Sequence, residues 1–185
     1  QMRIYQWTKN LLFFFPVLTS HNIFNLEIML HSIFNIFAFS LTASSIYIFN
    51  DIIDIDSDRL HPLKKHRPLA SGEISILIGS ILGIVCLAIG MVMAFSSSLT
   101  FFFIMNIYLF FNVTYSYYLK RKIIIDVVML TFFYLIRIYA GNIHTGVILS
   151  QWIICFSLFF FFSLGFLKRY IDLQSLAEVG NDSSN

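Results

Sequence analysis

The chain has 185 residues, of which 58% are hydrophobic and only 12% charged, with a formal net charge of +2. Soluble domains carry about a quarter charged residues, so the composition excludes a water-soluble globule and points to the bilayer as solvent. No nucleic-acid partner is expected.

Taken in chain order, the apolar stretches predict six membrane spans in one membrane domain covering 1–185, at about 5–20, 28–50, 74–95, 99–119, 124–141 and 147–167. The first is interrupted by Lys9 and Pro16. Between 28 and 49 there is no charge apart from a possible one on His31. Residues 74 to 119 contain no Asp, Glu, Lys, Arg or His, which is room for two spans joined at Ser96-Ser97-Ser98. Residues 127 to 167 carry only Arg137 and His144 and divide near Gly141-Asn142. The expected class is an all-α, multi-helix transmembrane bundle.

With six spans, Arg3, Lys9, Arg59, Lys64, Lys65, Arg67, Lys120, Arg121, Lys122, Lys168 and Arg169 all fall on one side. The loops of the other side hold no Lys or Arg. The positive-inside rule then places both termini and the polar loops in the cytoplasm, as expected of a multi-pass protein of the inner or plasma membrane. Three polar stretches (50–73, 115–126 and 168–178) meet at that face and are expected to line a common mouth. Cys86 and Cys155 lie mid-span without paired spacing and read as small apolar residues. His21, His31 and His144 read as isolated, and Trp7, Tyr47, Tyr115, Tyr117 and Tyr118 as interfacial anchors. No cleavable signal peptide is evident.

The stretch 50–73, "NDIIDIDSDRLHPLKKHRPLASGE", concentrates charge beside some of the most apolar sequence in the chain. On a helix continuing through residue 58, Asp51, Asp54 and Asp58 fall within about 60° of one another, with Asp56 on the opposite side. Three carboxylates on one stripe repel one another, unless a hard divalent cation sits among them. Mg2+ takes few carboxylates and completes its shell with water and phosphate oxygens. Asn50 can donate to a ligand oxygen or cap the motif. Lys64, Lys65 and Arg67 follow, and cations of these types are phosphate partners. Carboxylates for a metal next to cations for phosphate suit a Mg2+-diphosphate. The plain alternative is a helix end frayed into water beside topology-setting cations.

Two further charges enter the apolar regions. Asp126 opens the fifth span, where it either pairs with Lys120 or shares in a substrate site. Arg137 lies about three turns deeper and either binds a lipid phosphate or pairs with a carboxylate.

"NDIIDIDSD" resembles the N-D-x-x-D-x-x-x-D motif of the UbiA-type superfamily of intramembrane prenyltransferases. "QWTKNLLFF", "DSDRLHPLKKHRPLASG", "YSYYLKRKIIIDV", "YLIRIYAG" and "KRYIDL", in that order, are similar to the decaprenyl-phosphate phosphoribosyltransferase branch, over residues 5 to 178. The resemblance implies transfer of 5-phosphoribose from phosphoribosyl diphosphate to a polyprenyl phosphate, with release of diphosphate. It implies Mg2+ on Asp51, Asp54 and Asp58, and Asn50 orienting the donor. Lys64, Lys65 and Arg67 would take donor phosphates, while Tyr115, Lys120 and Asp126 supply the second half of the site. Arg137 and Lys168 complete the expected substrate-binding set. Other superfamily branches carry a second Asp-rich motif where this chain has "KRYIDLQ" with Asp172 alone, which favours the phosphoribosyl branch. The superfamily fold has about nine helices, so with six the chain is expected to be incomplete. The alternatives are prenyl transfer from a prenyl diphosphate to an aromatic acceptor, and a non-catalytic truncated remnant.

Overall fold

The computed structural model describes residues 4–20, 24–62, 64–119, 123–146 and 148–182. A 3-10 helix over Ile4–Phe13 runs into α1 (Phe14–Thr19). Then come α2 (Leu26–Ile53), the short α3 (Ile55–Leu60) and a 3-10 turn over Lys64–His66. They are followed by α4 (Ile76–Ser97), α5 (Leu99–Thr114) with a π-helical extension over Tyr115–Leu119, α6 (Ile123–Gly141) and α7 (Gln151–Asp182).

Among the described residues, five helices are long and apolar enough to cross a membrane: 26–53, 76–97, 99–119, 124–141 and 151–171. They answer five of the six expected spans to within a few residues. Side-chain caps set several starts, as the orphan amides of a helix N-terminus require. Asn25 accepts from the amides of Glu27 and Ile28 at the head of α2, Ser75 from Ile78 at α4 and Ser98 from Phe101 at α5.

The expected first span, 5–20, is instead the 3-10 helix and the one-and-a-half turns of α1. A 3-10 helix repeats every three residues and lines up side chains at i, i+3 and i+6. Here that stacks Trp7, Asn10 and Phe13 on a single edge against α2. Trp7 Nε1 donates to Ser44 Oγ at 3.0 Å, Asn10 Nδ2 donates to Ser40 Oγ at 2.7 Å, and the Phe13 ring meets Phe39 edge-on at 5.0 Å. An α-helical repeat would spread the three over about 120° and turn Trp7 and Phe13 apart. Trp7 is thus tied into the bundle rather than anchored at an interface.

α2 is the axis of the bundle and packs on α4, α5, α6 and the N-terminal segment. The fully buried positions of α4 are all small: Gly79, which faces Leu69, and Gly83, Cys86, Gly90 and Ala94. These recur at helical spacing and allow close backbone approach, the usual basis of helix association in lipid. A Cβ at Gly90 would run into Thr42 Oγ1 and the Ala38 carbonyl. Gly90→Ala should therefore destabilise the bundle by about 1–3 kcal/mol, read as a lower thermal midpoint in detergent. Gly141 meets the Phe13 backbone in the same manner and seats the end of α6 on the N-terminal segment.

Three local expectations change. The stretch 50–73 is largely helical, through the end of α2, α3 and the 3-10 turn. α7 continues to Asp182 rather than stopping near 167, because no helix breaker intervenes before Gly180; Lys168 and Arg169 are helical residues, not loop residues. At the far end from the motif, His31 and His144 are not isolated: their rings stack at 4.7 Å, with Ser97 Oγ 3.1 Å from His144 Nε2. Burial, and then the neighbouring His31, hold the His144 pKa below the usual histidine value.

Candidate functional site

α2 breaks at Asp54, whose backbone (φ −91°, ψ 8°) leaves the helical region. The hydrogen-bond ladder nevertheless crosses the break. Asp54 N donates to Asn50 O at 2.9 Å and Asp58 N to Asp54 O at 2.8 Å. The turn count is preserved, so Asp51 and Asp58 stay on the inner side, 5% and 3% exposed. Asp56 lies outside and is met by Arg59, at 3.8 Å across exposed surface, a contact of little energetic weight.

Arg67 returns over the motif from the loop beyond the 3-10 turn. One guanidinium nitrogen donates to both buried carboxylates, Asp51 Oδ1 at 3.1 Å and Asp58 Oδ2 at 2.6 Å. The loop holds this pose through Arg59 Nε to Ala70 O at 3.3 Å and Ser71 N to Arg67 O at 2.8 Å. Asp54 does not join this clamp. With Ile53, Ser57, Asp58, Lys64, Ser116 and Tyr117 it lines an open cleft of about 640 Å³. Lys65 is exposed and lies outside that lining.

A second, deeper cavity of about 250 Å³ lies between the helices. Its wall includes Lys9, Asn50, Asn112, Tyr115, Arg137 and Lys168, together with the aromatic rings of Tyr47, Tyr108 and Tyr134. Among the described residues, three cations and no carboxylate line this hollow, with Arg137 buried and Lys9 and Lys168 exposed. An apolar crevice of about 230 Å³ adjoins both: it shares Asn50 and Asn112 with the deep cavity, and Ser116 and Tyr117 with the cleft. The π-helical turn at 115–119 supplies these junction residues. Such turns are frequent at functional sites, and here Tyr115 reaches the deep cavity while Ser116 and Tyr117 serve the other two hollows.

Arg137 is 5% exposed and, among the described residues, pairs with no carboxylate. Its Nε donates to Asn10 Oδ1 at 3.0 Å, one terminal nitrogen donates to the Phe133 carbonyl, and the other reaches Tyr108 Oη at 3.4 Å. The rings of Phe39, Tyr108 and Tyr134 surround the guanidinium at 5.2–5.7 Å. Quadrupoles and dipoles thus hold a cation whose net charge is not cancelled, which is an environment suited to an anion. Asp126 accepts from Tyr115 Oη at 2.5 Å and so fixes the phenol in the wall of the deep cavity. Lys120, Arg121 and Lys122 lie outside the described residues.

The structure therefore gathers Asp54, Asp58 and Lys64 around the cleft, with Asp51 and Arg67 behind it. It gathers Asn50, Tyr115, Arg137 and Lys168 around the deep cavity, with Asp126 one bond away. Sequence reasoning missed Lys9, Asn10, Tyr108 and Asn112. For Lys9 the available signal was a cation inside an apolar segment, the same one that drew attention to Arg137. Among the described residues no three His, Cys, Asp or Glu side chains converge as a metal cluster.

Comparison with known proteins gives a consistent fold. The sequence model of the UbiA prenyltransferase family matches residues 11–181. Protein y4nM of Sinorhizobium fredii is 34% identical over 99% of this chain and 36% of its own length. The decaprenyl-phosphate phosphoribosyltransferase of Mycobacterium tuberculosis is 31% identical over 77% of this chain and 47% of its own length. The chain thus spans about half, or less, of the length of these relatives. Among solved structures, a UbiA homologue from Archaeoglobus fulgidus bound to DMAPP and Mg2+ superposes with a TM-score of 0.73 at 22% identity, covering 88% of this chain and 59% of that one. That likeness is one of fold.

Proposed function

This chain belongs to the UbiA prenyltransferase family, and on that premise we propose that it is a multi-pass membrane transferase moving 5-phosphoribose from phosphoribosyl diphosphate to a polyprenyl phosphate. The observation carrying this reading is the pair of adjoining hollows with opposite equipment. The cleft offers carboxylates and Lys64, while among the described residues the deep cavity is lined by Lys9, Arg137 and Lys168 and by no acid. A donor diphosphate carried by a divalent ion suits the first, and an acceptor that is itself a phosphate suits the second. The M. tuberculosis relative's name describes that pairing of substrates.

The donor set fits Mg2+. Asp54, Asp51 and Asp58 present hard oxygens, and an ion that keeps waters and takes phosphate oxygens needs no third protein ligand. These residues would hold it, and the chemistry it would supply is positive charge against the departing diphosphate. Lys64, Lys65 and Arg67 take donor phosphates, with Lys120 assigned to the same role by its place in the sequence motif; Asn50, which lines the deep cavity and the apolar crevice between it and the cleft, orients the donor. Arg137, Lys168 and Lys9 hold the acceptor phosphate, and Tyr115, held by Asp126, lines the same cavity. An acceptor phosphate oxygen forms the new bond to the ribose anomeric carbon as the bond to diphosphate breaks. The nucleophile is already anionic, so no side chain has to remove a proton. The site opens on the cytoplasmic face of the inner membrane, as the one-sided distribution of Lys and Arg argues.

Membranes containing the protein, supplied with ribose-labelled phosphoribosyl diphosphate and polyprenyl phosphate, should form a labelled lipid only with Mg2+ present. The A. fulgidus homologue's prenyl diphosphate ligand supports a second reading, prenyl transfer to an aromatic acceptor. Label moving from a prenyl diphosphate instead would establish that one.

A further inference from the structure

Arg67 has anionic neighbours before any donor phosphate arrives. A single nitrogen bonds oxygens of both Asp51 and Asp58, at 3.1 and 2.6 Å. The two side chains are 6% and 4% exposed, where an uncompensated carboxylate is costly. Some cation must therefore occupy the point between them in every state of the protein. The Arg67 backbone is tied to Lys64 O at 2.9 Å and by Ser71 N at 2.8 Å, so exchange at this point is a side-chain movement. The side chain is 29% exposed, which leaves it a path to water.

We propose that Arg67 is a positioning residue that occupies the place of the divalent ion between Asp51 and Asp58, and so makes metal binding depend on the donor's diphosphate. A divalent ion arriving alone must evict the guanidinium and leave it without an anion. When diphosphate arrives with the ion, Arg67 exchanges its carboxylates for phosphate oxygens, to which its fork is equally suited. Metal and diphosphate then assist each other's binding, by the same factor in both directions. Asp54 lines the open cleft, so it is the motif carboxylate that an incoming ion reaches from solvent. The inference rests on the donor reading above but needs no turnover to be tested.

The probes are Mn2+, followed by electron paramagnetic resonance, and inorganic diphosphate, with the purified protein in detergent. Wild-type protein should bind Mn2+ weakly alone and strongly with diphosphate. Arg67→Gln should bind Mn2+ alone at least about 5-fold more tightly than wild type, and should lose the corresponding part of the diphosphate effect. In wild-type protein, phenylglyoxal modification of Arg67, mapped by mass spectrometry, should rise several-fold with Mn2+ alone and fall again with diphosphate. This second measurement decides the matter if Arg67→Gln does not fold. Mn2+ binding that is no tighter in Arg67→Gln, or Arg67 reactivity indifferent to Mn2+, overturns the clamp while leaving the donor reading intact. Absence of Mn2+ binding even with diphosphate overturns both.

Discussion

Asp54→Asn lowers phosphoribosyl transfer by about 10²–10³-fold, the usual cost of removing one group that stabilises charge in the transition state, while membrane insertion and thermal stability stay at the wild-type level. The variant is chosen for its position. Asp51 and Asp58 are buried and clamped by Arg67, so replacing either leaves a guanidinium half-compensated and confuses folding with catalysis. Asp54 sits at the break between α2 and α3, lines the open cleft and stands outside that clamp. Asparagine keeps its shape and its capacity to end a helix, but removes the charge a divalent ion needs. Unchanged turnover in membrane preparations would return the aspartate stripe to a solvated helix end.

Arg137→Lys raises the KM for polyprenyl phosphate by about 10- to 100-fold, with affinity for the donor unchanged. The charge survives, but the planar fork does not. Arg137 reaches Asn10, the Phe133 carbonyl and Tyr108 at once, and a single ammonium cannot reproduce that arrangement. Losing one charged hydrogen bond to the acceptor costs about 1.5–3 kcal/mol, and each 1.4 kcal/mol is about tenfold in affinity. A purely structural arginine would show a lower thermal midpoint with both Michaelis constants unmoved. Separating the acceptor constant from the donor constant is therefore the informative readout.

Much of the fold was legible because lipid imposes a simple rule: apolar stretches of about twenty residues become helices. α2, α4, α5 and α6 begin and end close to where the apolar stretches put them. The N-terminal segment was not legible in this way. Its 3-10 repeat exists to face Trp7, Asn10 and Phe13 together onto α2, which is a tertiary demand. The length of α7 was misjudged because Lys168 and Arg169 resemble an interface, although nothing in "KRYIDLQSLAE" ends a helix.

The candidate site divides similarly. The separation of Asp56 from Asp51, Asp54 and Asp58 was readable from helical angles, and it survives the break at Asp54 because the backbone ladder continues across it. The Arg67 clamp was not readable, since it depends on a loop folding back over sixteen residues of chain to reach Asp51. Nor could spacing bring Asn10 to Arg137, which lie 127 residues apart in sequence. Lys9 was read as a topology anchor, although a lysine within an apolar segment is as suspect as an arginine at membrane depth.

The central claim is that the aspartate cleft and the deep cation cavity are two phosphate sites that fill together. Native mass spectrometry of the protein with Mg2+, polyprenyl phosphate and a carbocyclic analogue of phosphoribosyl diphosphate that cannot lose its leaving group tests this most directly. The account predicts a ternary complex with one of each ligand, from which chelation of Mg2+ removes the donor analogue and leaves the lipid bound. Mutually exclusive binding of the two ligands would contradict it.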